Sequence, residues 1–432
     1  MASLQTAQTA PEQPTYNPAS ETDRILGILE LYNNHAKYIR ALSHVTSQPY
    51  IQPTLTMSFL GNLGRFGNQI FQYAFLRICA KNAGAKVECS PWIGQILFDH
   101  TDAPVSKRLP PAIEYREIGR DRRIGESFFD YIPEYIPYIE KVSGAPCSRV
   151  DSNFLESGLM NVDLWGFFQF HTRYLRPYKA YFRDLFQPVS DLSGSLERSL
   201  NLLRANGKTI VGVHVRRGEY LTFPQPRYAL PVPSQWYCHW LANLWPTLDN
   251  PVLFLCSDDI NSVLPDFEAF SPITLKDLDV QLPARFRDLK LAFYADFFML
   301  SHCDVVATSN STFGFAACML NKQGTHFVRP DWNADEKFVR FDPWDSTPLL
   351  YIQDEGARFS KRLRDIARVA YVNNGIWGAL KSVFLYAPLG YAKLSGLRFF
   401  LAYKTNGIRG ILKTSLSPLG ISLPWQNQHK KL

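Results

Sequence analysis

A chain of 432 residues is long for one domain of about 150 residues and predicts two or three. Its 46% hydrophobic content is that of a globular protein with a sizeable core, and no run of about 18 uninterrupted apolar residues predicts a membrane-spanning helix. The net charge of +7 is uneven: residues 361–432 carry 12 Lys/Arg against one acid, Asp365, a surplus of +11, so subtraction leaves residues 1–360 at −4. The basic character belongs to the tail and says nothing about the body; no nucleic-acid partner is expected for the chain.

The seven cysteines, Cys79, Cys89, Cys147, Cys238, Cys256, Cys303 and Cys318, form no C-x-x-C pair, and most lie in apolar runs. They read as small buried hydrophobes kept reduced, which argues against a zinc site and for a cytosolic compartment. The opening Met-Ala-Ser-Leu-Gln-Thr has neither a basic n-region nor an apolar h-region, so no secretory signal is expected.

In chain order, residues 1–19 are rich in Thr, Gln, Pro and Ala and are expected to be disordered. Ser20 and Asp23 then resemble a capping box, and Ile25, Leu26, Leu29, Tyr32 and Tyr38 recur near helical spacing, which predicts an appended helix to about Leu42. Thr54 to Leu60 reads as a strand, followed by the glycine-rich Gly61-Asn62-Leu63-Gly64-Arg65-Phe66-Gly67-Asn68-Gln69, a helix from about Ile70 to Asn82, and a strand Lys86 to Cys89. This is a βαβ unit. Its glycines suit either a tight turn or close approach to a ligand at a helix N-terminus. The spacing is not G-x-G-x-x-G with an acid some twenty residues on, which disfavours a dinucleotide enzyme.

Residues 91–150 are rich in Pro, Tyr and charge and yield no assignment. Asn161 to Phe168 reads as a strand and Thr172 to Leu185 as a helix. Turn formers around Gln187-Pro-Val-Ser-Asp-Leu-Ser-Gly predict a domain boundary, with a further helix from about Ser195.

The second half alternates strand and helix. Strands are predicted at Thr209–Val215, Pro251–Cys256, near Ile273, at Asp304–Thr308 and at Thr325–Val328, and helices at Ser234–Leu248, Phe286–Ser301 and Phe313–Leu320. This is a parallel α/β pattern. Three strands end in polar clusters: Arg216-Arg217, Ser257-Asp258-Asp259 and Ser309-Asn310-Ser311-Thr312. Open α/β sheets bind ligands at the carboxyl ends of their strands, and a guanidinium fork there suits a phosphate. Singly, Arg216-Arg217 could hold a loop by an ion pair, and Asp259 and Thr312 stand where helix N-caps belong. Together the clusters predict an anion or nucleotide site. Asp277-Leu278-Asp279 has the form of a metal-binding Asp-x-Asp, but no strand ends at it.

These stretches resemble glycosyltransferase family 11, the α-1,2-fucosyltransferases. The resemblance is carried by Gly64-Arg65-Phe66-Gly67-Asn68-Gln69-Ile70-Phe71-Gln72-Tyr73-Ala74-Phe75, by His214-Val215-Arg216-Arg217-Gly218-Glu219-Tyr220, by Ser257-Asp258-Asp259, and by Asp296 to Asp304 with Ser309-Asn310-Ser311-Thr312-Phe313. The four motifs stand in the family's order between about Met57 and Trp332. Glu219 replaces the family's usual Asp, and Gly314 to Met319 replaces a Trp-rich helix.

The resemblance implies a GT-B-like α/β fold of two Rossmann-type domains with the donor site at strand carboxyl ends. Residues 1–52 would be the disordered segment and appended helix, 53–190 the acceptor-side domain, 191–348 the nucleotide-sugar domain and 349–432 a basic, apolar extension. It implies inverting transfer of fucose from GDP-fucose, with no cofactor and no metal, to a glycan acceptor expected to be galactose-terminated. Arg216 and Glu219 are the implied catalytic residues, Arg216 for the diphosphate and Glu219 as base. Asn68, His214, Arg216, Arg217, Asp296, Ser311 and Thr312 are the implied donor-binding residues, with Asp296 near the guanosine. Strand alternation would turn Arg217 to the other face, where it would brace the loop.

The alternative class is a non-catalytic sugar-nucleotide-binding or scaffold protein on the same fold. The tail mixes its basic residues with Trp377, Phe384, Tyr386, Phe399 and Phe400 and is broken by glycines and prolines. That composition suits either peripheral contact with an anionic membrane, here the inner face, or packing back on the body.

Overall fold

The computed structural model describes residues 52–115, 135–155, 160–222, 230–332, 334 and 337–350. The expected N-terminal helix and the tail lie outside the described residues.

The strands form two five-stranded sheets. The first contains β1 (Thr54–Met57), β2 (Lys86–Cys89), β3 (Pro111–Glu114), β4 (Ser148–Val150) and β5 (Val162–Trp165) in the order β2-β1-β5-β3-β4. All its pairs are parallel. The second contains β6 (Thr209–Val215), β7 (Pro251–Ser257), β8 (Val305–Thr308), β9 (His326–Pro330) and β10 (Phe338–Arg340) in the order β10-β9-β8-β6-β7. Only β10, at its edge, runs antiparallel. Strand β6 is buried from Ile210 to Val215, as a central parallel strand covered on both faces must be, and that is why it reads as a continuous β-branched run.

The longer helices are α1 (Phe66–Ala83), α2 (Tyr135–Ser143), α3 (Lys179–Leu185), α4 (Ser190–Arg204), α5 (Ser234–Leu244), α6 (Phe293–Leu300) and α7 (Thr312–Leu320). Several bounds differ from expectation, each for a local reason. Strand β1 stops at Met57 because the chain turns at once, with Gly61 and Gly64 at φ of 83° and 75°. Helix α1 begins at Phe66, four residues early, because the turn is over by extended Arg65 and Gly67 lies inside the helix. The helix expected over 172–185 is two 3₁₀ turns followed by α3, since Pro177 has no N–H to donate. The helix expected from Ser195 starts at Ser190. The helix expected over 286–301 is split into Ala284–Asp288 and α6, with Lys290 at φ 57° between them. The last turn expected of α5 is a 3₁₀ turn at Trp245–Thr247, containing Pro246. The strand expected near Ile273 is a single bridge to Phe254. Strands β3, β4 and β10 were not foreseen.

One apolar cluster runs through both halves, from Leu55 and Phe71 beside the first sheet to Phe297 and Phe315 beside the second. Phe66 joins them: its ring contacts Phe98 on its own side and Phe293, Tyr294, Phe297 and Phe313 on the other. A second cluster, including Val213, Tyr237 and Phe267, fills the far face of the second sheet. The chain returns between the halves near its described end, where Thr172 and Ser346 exchange backbone and hydroxyl hydrogen bonds and Trp344 packs on Phe182. The architecture is α/β, two mostly parallel five-stranded sheets joined across a shared core.

Candidate active site

Strands β6, β7 and β8 are neighbours, with His214 beside both Cys256 and Thr308 and Val215 beside Ser257. Their carboxyl ends therefore meet, and the three polar clusters of the sequence stand at one edge.

Arg216 is the first residue past β6. Its N–H donates to Ser309 Oγ at 2.8 Å, and its guanidinium pairs with Asp258 and lies 5.4 Å from the centre of the Tyr220 ring. Only 11% of its side chain is exposed. Gly218 permits this arrangement, because a Cβ there would come within 2.1 Å of Asp258 Oδ2. Asp258 also accepts from the Arg217 N–H at 2.7 Å, so it fixes the whole turn.

Arg217 does not join Arg216. Its side chain is buried on the other face and donates to Val232 O at 2.7 Å and Ser234 Oγ at 2.9 Å, bracing the start of α5. Burial lowers its pKa from the usual arginine value. The expectation of Arg217 at the donor thus gives way to bracing, for the reason strand alternation supplies.

His214 is buried under α7. Its Nδ1 lies 3.3 Å from Thr308 Oγ1. Burial, and then the charge of Arg216, push its pKa down to about 3, so the ring is neutral. Gly314 is required above it: a Cβ there would lie 2.9 Å from His214 Nδ1 and closer still to Thr308.

Ser311 is the N-cap of α7 and accepts from the Phe313 N–H at 3.3 Å. The cap expected at Thr312 is thus one residue earlier, which frees the Thr312 hydroxyl to donate to Asn68 Oδ1 at 2.8 Å. Gly67 lets the N-termini of α1 and α7 abut, since a Cβ on it would stand 2.5 Å from Phe313 N. Asp259 precedes the short helix Ile260–Val263 but accepts no cap bond; its N–H instead donates to Ser257 Oγ.

Asp296, in the first turn of α6, is half-buried and close enough to Cys256 to influence its thiol. Burial raises its pKa to about 8, and the described residues form no ion pair with it. Glu219 lies on the short helix Gly218–Thr222, and its side chain is outside the described residues.

Three groups not singled out individually from the sequence complete the site. Tyr237 holds Ser309 Oγ at 2.8 Å and His214 O at 3.2 Å from beneath. Asn310 clamps the returning chain through two bonds with Leu350. Gln169 reaches Asn68 from the first sheet. Of these, only Asn310 stood inside a polar cluster; an aromatic in a helix and a glutamine after a strand give no local signal.

Among the described residues no group of three or more His, Cys, Asp or Glu is placed to hold a metal ion. Both carboxylates of Asp277-Leu278-Asp279 are engaged locally, Asp277 with Thr274 in a capping box and Asp279 with Gln281.

The sheet edge thus gathers an arginine, hydroxyls and a helix N-terminus, groups that together suit an anionic ligand such as a phosphate. The family model described as "Glycosyl transferase family 11" matches residues 160–343, from β5 through β10. Galactoside alpha-(1,2)-fucosyltransferase 1 of Leontocebus fuscicollis is 25% identical over 308 residues, 69% of this chain and 76% of the relative. That of Aotus azarae is 25% identical over 309 residues, 69% and 75% of the two chains. Among solved structures, NodZ alpha-1,6-fucosyltransferase soaked with GDP-fucose superposes with a TM-score of 0.41 at 15% identity, covering 67% of this chain and 99% of that one. POFUT1 in complex with GDP-fucose superposes at 0.38 and 11% identity, covering 66% and 99%.

Proposed function

We propose that the protein transfers fucose from GDP-fucose to a hydroxyl of a galactose-containing glycan, with inversion and without a metal ion. The observation that carries this reading is the convergence of Arg216 with Ser311 and Thr312 at the ends of β6 and β8, opposite Asn68. The family and the names of the relatives supply the sugar and the acceptor class.

In this reading the acceptor oxygen attacks the anomeric carbon, the bond from that carbon to the β-phosphate oxygen breaks, and GDP leaves with the electron pair. Arg216 stabilises the charge developing on the diphosphate, the task a divalent ion performs elsewhere. The Ser311 hydroxyl and the N-terminal N–H groups of α7, that of Thr312 among them, support the same phosphates. Neutral His214 offers a hydrogen bond rather than charge, and Arg217 acts through the loop it braces. Asp296 faces the guanosine, and Glu219 takes the acceptor proton. The basic, apolar tail makes a peripheral contact with an anionic membrane surface, which sedimentation with anionic vesicles at low and high salt tests.

Incubation with a panel of nucleotide sugars and β-galactosides tests the main reading. GDP release and a new α-linked fucoside with GDP-fucose are expected. Binding without turnover would instead establish a sugar-nucleotide-binding protein on this fold.

A further inference from the structure

We propose that Gln169 is a positioning residue of the donor site: with Thr312 it holds the Asn68 carboxamide so that an N–H, and not the oxygen, faces the cleft. This rests on the reading of Asn68 as a donor-binding group.

The argument begins with the capacity of an amide. Its oxygen accepts two hydrogen bonds and its nitrogen donates two. Asn68 Oδ1 accepts from Gln169 Nε2 at 2.7 Å and from Thr312 Oγ1 at 2.8 Å, so both acceptor positions are filled. What remains is Nδ2, which lies over exposed Gly64; a Cβ on that glycine would come within 2.3 Å of the nitrogen. The ligand atom that Asn68 meets must then be an acceptor, such as a phosphate or sugar oxygen.

Gln169 is itself held for this task. It is buried, 3% exposed, at the end of a turn that leaves β5. The Phe167 N–H donates to the buried carboxylate of Glu114 at the end of neighbouring β3, and Gln72 Nε2 holds Gly166 O at 2.9 Å. Gly166 is required there, because a Cβ would stand 2.3 Å from that of Glu114. Phe168, at φ 51°, then redirects the chain toward α1. One oxygen of Asn68 is thus fixed from both halves, by Gln169 after the first sheet and by Thr312 after the second.

The test is calorimetric titration of the full chain with GDP-fucose, using Gln169→Glu and Gln169→Met in the wild-type and Asn68→Ala backgrounds. Glutamate replaces the donor with a carboxylate that draws Asn68 Nδ2 to itself and turns the oxygen outward. Methionine keeps the length and removes the donor. Gln169→Glu is expected to weaken binding about tenfold, the size of one lost hydrogen bond, and Gln169→Met by less. In the Asn68→Ala background neither should change affinity beyond about twofold, because the partner through which Gln169 acts is gone. If Gln169→Glu does not fold, the methionine variant carries the same comparison. Affinity unchanged by the Gln169 variants, or lost equally without Asn68, would overturn the proposal while leaving the donor site intact. Failure of the wild-type chain to bind GDP-fucose would overturn the donor reading and this inference with it.

Discussion

Phe66 stands edge-on to Phe297, with ring centres 5.0 Å apart and planes at 87°. The first residue of α1 is thereby buried in the helical layer of the second sheet, immediately before the Gly67-Asn68 pair that meets α7. The contact that joins the halves and the contact that shapes the cleft are adjacent in the chain.

Phe66→Ala should therefore destabilise the protein by about 3–5 kcal/mol, the usual range for an aromatic deleted from a packed core. Denaturant unfolding measures it. Phe66→Leu should cost clearly less, and equal losses would show that the ring contacts are not the source.

Arg216→Ala in a folded protein should lower kcat roughly 100- to 1000-fold, as loss of a preorganised donor to a developing anion does. Arg216→Lys should recover little, because the planar fork is lost. Steady-state kinetics alongside a melting curve separates this from unfolding, and near-wild-type turnover would remove Arg216 from the mechanism.

Arg217→Ala should behave differently. Val232 O and Ser234 Oγ would lose their donor inside the protein, so a stability loss of about 1–3 kcal/mol is expected. Any loss of activity should follow the fraction folded. A stable but inactive Arg217→Ala would place this side chain in the chemistry after all.

Asp296 and His214 set opposite pH dependences. The carboxyl of Asp296 is raised by burial to about 8 from an ordinary 3.8, so the unfolded chain ionises first and stability falls as pH rises between those values. Asp296→Asn should flatten that limb and raise the melting temperature relative to wild type above pH 8. His214 is lowered to about 3 from 6.5, so its contribution is full above pH 6.5 and declines as pH falls toward 3. Melting temperature against pH for wild type and Asp296→Asn checks both limbs.

Turnover should survive excess EDTA if Arg216 and the N-terminus of α7 carry the diphosphate charge. Loss of activity on chelation, with recovery on adding Mn²⁺ or Mg²⁺, would require a metal in their place.

Much of this was legible without coordinates, because some features are written locally. The run Thr209–Val215 reads as a strand because it is buried on both faces, and Lys86–Cys89 because short apolar alternation is enough. The polar clusters converge because parallel strands of one sheet end on the same side, which follows from the alternation of strand and helix. The opening glycine motif lies outside the stretch matched by the family model, and its part in the site rests on the Asn68–Thr312 bond, which links residues 244 positions apart. No periodicity records such a bond. The turn of Arg217 toward Val232, the burial of His214 beneath Gly314, the 3₁₀ turns before α3 and the reach of Gln169 to Asn68 were likewise decided only by packing. In each, the partner that sets the geometry comes from a distant segment or from steric space that exists only once the sheets are joined.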